Sequence, residues 1–367
     1  MKKKSVSKGN VDFLMFCTVL MLVAIGVVMV YSASSYIAFY QLKDSMYYLK
    51  RQGLFAVIGI IFMFFAMKID YHFYKKYIKI LMLVTTCLLF VVFAFEDTNG
   101  ARRWIPLGFF NLQPSEIAKY VIVLFMAGSI EKKGEKIKSF TYGVIPYIIV
   151  SAFYAGLVLA EKNLSIASII MGVTLIVLYA AGAKMWHLIC IVIPIIGAGA
   201  AAIYFETYRL QRFLIFRNPW ADPKKYGYQL IQSFLALGSG GIWGVGLGCS
   251  RQKCYYIPEP HNDFIFAILG EELGIIGCIM VILLFITFVW RGAVTAMKAK
   301  DVYGTLMAAG ITSVIGLQAV INIAVVTGSI PVTGVPLPFI SSGGSSLVVN
   351  LIAVGVLLNI SKNNEYN

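Results

Sequence analysis

Pro258-Glu259-Pro260-His261-Asn262-Asp263 runs directly into Phe264-Ile265-Phe266-Ala267, so three ionisable side chains stand at the mouth of a long apolar stretch. A charge held where a wet loop meets a membrane helix is costly to desolvate and marks a functional site by default. Asp263, the last polar residue before the apolar run, is the primary candidate for a catalytic base. Glu259 and His261 are its rivals, and His261 reads equally as a hydrogen-bonded loop histidine. Glu271 and Glu272 follow deeper in the same helix. On a wheel of about 100° per residue, Glu271 falls roughly 80° from Asp263 and Glu272 roughly 180°, so only Glu271 is expected to share the Asp263 cavity.

Two further segments carry polar groups that a bundle of plain apolar helices does not need. In the first, Gly100-Ala101-Arg102-Arg103-Trp104 leads through Gln113-Pro114-Ser115-Glu116 to Lys119. Pro114 suits a helix start, where its missing N–H is no loss. Glu116 and Lys119 share a helical face and can pair, with Lys119 expected to face a cavity. Arg102 and Arg103 either hold an anion or snorkel to lipid headgroups. The second segment, Thr327 to Ser346, has Pro331, Pro336 and Pro338 in its first half and the serine and glycine run Ser341-Ser342-Gly343-Gly344-Ser345-Ser346 in its second. Irregular backbone at membrane depth is tolerated where it is buried in protein or lines a cavity. These hydroxyls and amides either line a substrate channel or form a plain turn with small residues for helix packing.

One carboxylate, several guanidinium groups and a cavity at a membrane edge suit a particular reaction. A glycosidase needs two carboxylates, because its leaving oxygen must be protonated. Transfer of a sugar from a lipid diphosphate differs, since the leaving diphosphate is already a stable anion. One base for the acceptor hydroxyl, with Arg, Lys or Mg²⁺ at the diphosphate, is a sufficient set.

These groups must be positioned by membrane helices. Of the 367 residues, 59% are hydrophobic and 13% charged, and the mean hydropathy is +0.80. A soluble domain with a polar exterior does not carry that balance, so the chain reads as an all-α polytopic membrane protein. A helical span takes about 20 mainly apolar residues. Ten segments meet or approach this, near 12–33, 52–68, 77–95, 114–130, 140–160, 163–183, 186–205, 264–290, 302–328 and 340–360. They form a single integral membrane domain over 1–367, with 206–263 as one large extracytoplasmic loop between helices 7 and 8. In that loop Arg209, Arg212, Arg217 and several aromatics form either an interfacial belt or an anion site. The glycines between Gly238 and Gly248 permit close backbone approach to an anion, a weak signal by itself.

Lys and Arg in the short loops set the orientation. Lys2, Lys3, Lys4, Lys8, Lys75, Lys76, Lys79, Lys132, Lys133, Lys136 and Lys138 gather on one side, which is then cytoplasmic. The other side has far fewer, among them Lys43, Lys50, Arg51 and Lys162, giving N-in and C-in. The first apolar run is longer than the 7 to 15 residues of a signal h-region, so it reads as an uncleaved helix. The net charge of +14 therefore reflects topology and contact with anionic lipid, with no nucleic-acid partner. Cys249 and Cys254 in the outer loop are placed to allow a disulfide but make no framework.

Taken together, GARRWIPLGFFNLQPSEIAK (Gly100 to Lys119), PEPHNDFIFAILGEELG (Pro258 to Gly274) and TGSIPVTGVPLPFISSGGSS (Thr327 to Ser346) resemble the SEDS family (shape, elongation, division and sporulation), the group of FtsW, RodA and SpoVE. PEPHND is more similar to the division and sporulation branch than to the elongation branch. The resemblance implies a peptidoglycan glycosyltransferase that polymerises lipid II into a growing glycan strand outside the cytoplasmic membrane, with a class B penicillin-binding protein (a transpeptidase) as partner. It places the essential aspartate on Asp263 and basic or polar cavity residues on Arg102, Lys119, Arg212, Lys253 and Ser342; Glu259 and His261, by their place beside Asp263, are expected to bind substrate with them. It also implies a divalent cation, Mg²⁺ or Mn²⁺, held largely by substrate phosphates. The chain departs from the family pattern in two places. Lys162-Asn163 stands where many relatives carry Pro-Asp, removing one outer carboxylate, and Ser342 stands where tyrosine is commoner. Two other functions suit many spans around a polar cavity: a transporter that flips a lipid-linked sugar, and a scaffold that only holds a transpeptidase.

Overall fold

The computed structural model describes residues 11–95, 101–108 and 110–363. Lys2, Lys3, Lys4, Lys8 and Gly100 of the sequence reading lie outside the described residues. Ten helices coincide with the ten expected spans: α1 (Phe13–Leu42), α2 (Tyr47–Lys68), α3 (His72–Val91), α4 (Pro114–Lys133), α5 (Ile145–Ala160), α6 (Leu164–Ala180), α7 (Met185–Tyr204), α10 (Ile265–Met297), α11 (Val302–Val326) and α12 (Gly344–Lys362). Among the described residues eight are long and apolar enough to cross a membrane, α5 when taken with the wider helical turn that precedes it from Phe140, while α6 is shorter. In α4 the charges of Glu116, Lys119 and Glu131 interrupt the apolar run. The protein is thus an all-α polytopic membrane protein. Inside the segment expected to be one long loop lie two more helices, α8 (Thr207–Phe216) and α9 (Tyr228–Gly240). A two-residue antiparallel pair, β1 (Ile105–Pro106) with β2 (Asn111–Leu112), folds the Arg-rich segment over the start of α4.

Local chemistry sets the helix ends. Asp12 caps α1 by accepting from Met15 N (3.0 Å), Asn163 caps α6 through Ile166 N (3.3 Å), and Pro114 opens α4. Each cap satisfies an N–H that a helix start otherwise leaves orphaned. At one end of the bundle, polar contacts tie the start of α1 to the ends of α10 and α12 and the start of α3 to α12. Asp12 N donates to Ser361 Oγ (3.1 Å), the Asp12 carboxylate pairs with Arg291 (2.8 Å), and Asn359 Oδ1 accepts from Tyr71 N (3.0 Å). The start of α1 and the end of α12 therefore meet at this end and the two helices run antiparallel, with the starts of α2, α4 and α12 gathered at the opposite end.

Between helices in lipid, close packing and polar contacts replace the hydrophobic gain available in water. At Gly355 of α12 an added Cβ would lie 2.4 Å from Met63 O of α2, so only glycine permits that approach. Helix α10 is broken at Gly274 (φ 66°). The glycine-rich stretch after α9 fills the break: Val245 N and Gly246 N donate to Glu271 O and Glu272 O (3.0 Å each), and Ile275 N donates to Gly241 O (2.9 Å). These bonds satisfy the backbone groups that the break frees, as membrane depth demands. The glycines read as a possible anion cradle thus serve backbone docking: a Cβ on Gly244 would lie 2.2 Å from Glu272 O. Cys249 and Cys254 are free thiols.

Candidate active site

At the end of the bundle away from the Asp12–Ser361 contact lies a cavity of about 800 Å³. Its wall comes from the start of α2 (Tyr48, Arg51, Gln52), from Arg103 and Trp104 before β1, from Glu206, Arg209 and Arg212 around α8, and from Glu259 to Phe264. Val332 to Gly334, Pro336, Ser342 to Gly344 and Ser346 complete it. Arginines and lysines outnumber acids on this wall, which suits an anionic ligand.

Asp263 lines this cavity, half-buried, two residues before α10 begins. Its backbone is fixed from two directions. Asn322 of α11 donates from Nδ2 to Asp263 O (2.8 Å) and to Val335 O (2.7 Å). Ser341 Oγ donates to Asn262 O (2.8 Å), and Ser342 N to His261 O (2.9 Å). The proline-rich segment before α12 is therefore a brace for the turn that carries Asp263. No hydrogen bond or ion pair closes on the Asp263 carboxylate among the described residues, which leaves it available to a ligand. Burial and the Glu259 charge push its pKa up to about 6, while Arg103 and Arg212 pull the other way. Gly334 sits between acid and base: a Cβ there would be 3.3 Å from Asp263 Oδ2 and 3.9 Å from Arg103 Nη1.

Arg212 is held by Val332 O (3.4 Å) and Gln229 Oε1 (3.2 Å), and its guanidinium lies 4.4 Å from the centre of the Tyr208 ring. Ser342 lines the cavity, as does the exposed Glu259, which accepts from Asn262 Nδ2 (2.7 Å). His261 is buried against the Tyr48 ring (4.2 Å between centroids), and its Nδ1 has no partner. Burial pushes its pKa down to about 4, so the ring is neutral at physiological pH.

Other expected site residues lie elsewhere. Arg102 is exposed and donates to Phe93 O (3.0 Å), and it is the adjacent Arg103 that faces the cavity. Lys119 is buried beneath the cavity rather than facing it, between Glu116 Oε2 (3.1 Å) and Gln318 Oε1 (2.7 Å). The network reaches the wall through Ser346 Oγ, which donates to Glu116 Oε2 (2.8 Å), and Gln318 Nε2, which donates to Pro336 O (3.1 Å). Lys253 is buried behind the helix break, bonded to Glu272 Oε1 (2.9 Å), Gly248 O (2.7 Å) and Ser32 Oγ (3.2 Å). Glu271 does not share the Asp263 cavity. Its carboxylate accepts from Ser250 Oγ, Arg251 N (2.9 Å) and Gln252 N (3.3 Å). The wheel misplaced it because Asp263 precedes the helix, so a helical angle does not extend to it.

Asn322 and Gln318 escaped the sequence reading although a signal existed. They stand four apart on one face of an otherwise apolar span, where polar residues are expected to face the protein interior. Arg51 and Arg209 also line the cavity, the first expected from sequence only as a loop charge that sets topology and the second as part of an interfacial belt or an anion site. Among the described residues, no three His, Cys, Asp or Glu side chains form a metal-binding group. Asp263 and Glu259 are two carboxylates near enough to repel, a donor set that fits a cation completed by a ligand's phosphate oxygens and not a protein-only cage.

Fold and cavity together define a multi-pass membrane protein with an anion-receptive, carboxylate-bearing site at one end of its bundle. The chain belongs to the Cell cycle protein family FTSW_RODA_SPOVE, whose profile matches residues 12–366. It is 43% identical to "Stage V sporulation protein E" of Bacillus subtilis (strain 168), over 98% of this chain and 99% of that one. It is 38% identical to "Probable peptidoglycan glycosyltransferase FtsW" of Coxiella burnetii (strain RSA 493 / Nine Mile phase I), over the whole of both chains. These names agree with the division and sporulation branch. Among solved structures it resembles a chain of a peptidoglycan synthase complex described for its coordination of polymerization and crosslinking, with a TM-score of 0.79 at 25% identity over 96% and 97% of the two chains. It shares its fold with the rod shape determining protein RodA of Thermus thermophilus, with a TM-score of 0.72 at 22% identity over all of both chains.

Proposed function

We propose that this protein is a peptidoglycan glycosyltransferase that polymerises lipid II at the outer face of the cytoplasmic membrane, in cell division or spore cortex synthesis. The observation that carries the reading is the unpaired carboxylate of Asp263, set between Arg103 and Arg212 in a large polar cavity. Relatives near 40% identity over almost the full chain bear the glycosyltransferase name. In the reaction, a hydroxyl of the acceptor sugar attacks the anomeric carbon of the donor. Asp263 accepts the hydroxyl proton, and the C–O bond to the diphosphate breaks as Arg103 and Arg212 take up its negative charge. The leaving group needs no acid, and the cations stabilise charge as it develops.

A divalent cation, Mg²⁺ or Mn²⁺, would be held by Asp263 and Glu259 together with substrate phosphates, and would supply further positive charge there. The expected orientation is N-in and C-in, with the cavity outside. The expected partner is a class B penicillin-binding protein that crosslinks the new strands, a reading supported by the resemblance to a synthase complex that couples polymerization to crosslinking. Purified protein given lipid II, with and without such a partner, tests this function by the appearance of glycan chains. Lipid II flipping in liposomes with no polymer under any condition would instead favour a transporter.

A further inference from the structure

Glu161 occupies the turn between α5 and α6, is 0% exposed, and takes no part in the mechanism above. Among the described residues neither of its carboxyl oxygens closes a full hydrogen bond, although the Ser115 hydroxyl is near enough to act on it as a weak donor. A buried carboxylate left in that state is strongly disfavoured and neutralises instead. Burial pushes its pKa up to about 8, against the opposing pulls of Ser115 and of the Arg103 guanidinium.

Arg103 connects this carboxyl to the cavity. Its Nε and Nη2 donate to Glu161 O (3.4 Å) and Lys162 O (2.5 Å), which fixes the guanidinium to the turn. Arg103 also lines the cavity and acts on the charge of Asp263. Around Glu161, Ser115 on α4 does not titrate in the physiological range, Lys162 is exposed at the cavity rim, and the Asn163 side chain is used to cap α6. Among the described residues, Arg103 is the charge that bears on Glu161.

We propose that Glu161 is a positioning residue that competes with a bound diphosphate for Arg103. Uncharged, it leaves the guanidinium charge to the ligand; ionised, it draws that charge back into the protein. The turn between α5 and α6 thus carries an acid that acts through Arg103. The diphosphate as ligand rests on the function proposed above.

The test uses the purified full-length protein and a polyprenyl diphosphate as probe, with Kd measured from pH 7 to pH 9.5. The parent Kd is expected to rise roughly tenfold with a midpoint near pH 8, the worth of one charge-assisted contact. Glu161→Gln, which cannot ionise, is expected to change less than twofold over the same range. In the parent, infrared spectra should show a protonated carboxyl at pH 7 that is lost by pH 9.5, a readout that stands even if the variant fails to fold. A flat parent Kd, or the same pH dependence in both proteins, would overturn the assignment. Glu161-dependent binding in a protein that makes no polymer would remove the polymerase reading and leave this one standing; polymer with a pH-flat Kd would do the reverse.

Discussion

Asn322→Ala should release the Asp263 turn while leaving every cavity side chain in the sequence. The wild-type amide is buried and bonds two carbonyls, Asp263 O (2.8 Å) and Val335 O (2.7 Å), which belong to different segments. A buried carbonyl that loses its donor costs roughly 1–3 kcal/mol. Val335 is fully enclosed, whereas the half-buried Asp263 has cavity water within reach, so the loss is roughly 2–4 kcal/mol in all rather than twice the larger value. Part of that appears as a lower Tm in detergent. The remainder appears in kcat, because an error of about 1 Å in placing a reacting group can cost 10²-fold. Asn322→Asp should be worse, since an acceptor would then face two carbonyls. The assay is lipid II polymerisation at saturating substrate beside thermal unfolding of the same preparation. Parent-like kcat and Tm in Asn322→Ala would refute the claim that this amide aims the base.

Three further outcomes follow from the same geometry. Arg103→Ala should reduce kcat/KM for lipid II by at least tenfold, while Arg102→Ala, altering an exposed residue outside the cavity, should change it less than threefold; steady-state kinetics of the pair decides between neighbours that the sequence does not distinguish. Polymerisation should fall about tenfold per pH unit below about pH 6, because Asp263 accepts a proton only when ionised and its pKa is raised to about 6; a pH–rate profile should show this acid limb move upward in Arg212→Ala and downward in Glu259→Gln. Lys253→Met should destabilise by roughly 3–5 kcal/mol, since it leaves Glu272 buried without its counter-ion, and thermal unfolding should show partial recovery when Glu272→Leu is added.

The ten spans were legible because hydropathy and length are read directly from sequence, and the site's acid was legible because a charge at the edge of an apolar run has few innocent explanations. The choice of Arg103 over Arg102 was not. Adjacent residues before a short β pair differ in direction by backbone geometry, which no composition reveals. Lys119 by its place in an apolar span and Lys253 by the family resemblance are expected at the cavity, yet each is committed to a glutamate (3.1 Å and 2.9 Å) instead. Whether a buried charge serves a ligand or an internal partner depends on contacts between helices far apart in sequence. The break at Gly274 was hidden for a related reason. A lone glycine in an apolar helix reads as tolerated, and only the docking of Val245 and Gly246 onto Glu271 and Glu272 shows that it opens the helix.

The central claim, that Asp263 is the base that activates the acceptor hydroxyl, is tested most directly by Asp263→Asn. The substitution keeps size and shape and removes the proton acceptor. General base catalysis contributes typically 10²- to 10⁴-fold, so glycan chain formation from lipid II by the purified variant should fall by at least 10²-fold, with abundance, Tm and partner binding retained. Polymerisation at the parent rate by a folded Asp263→Asn protein would contradict the account.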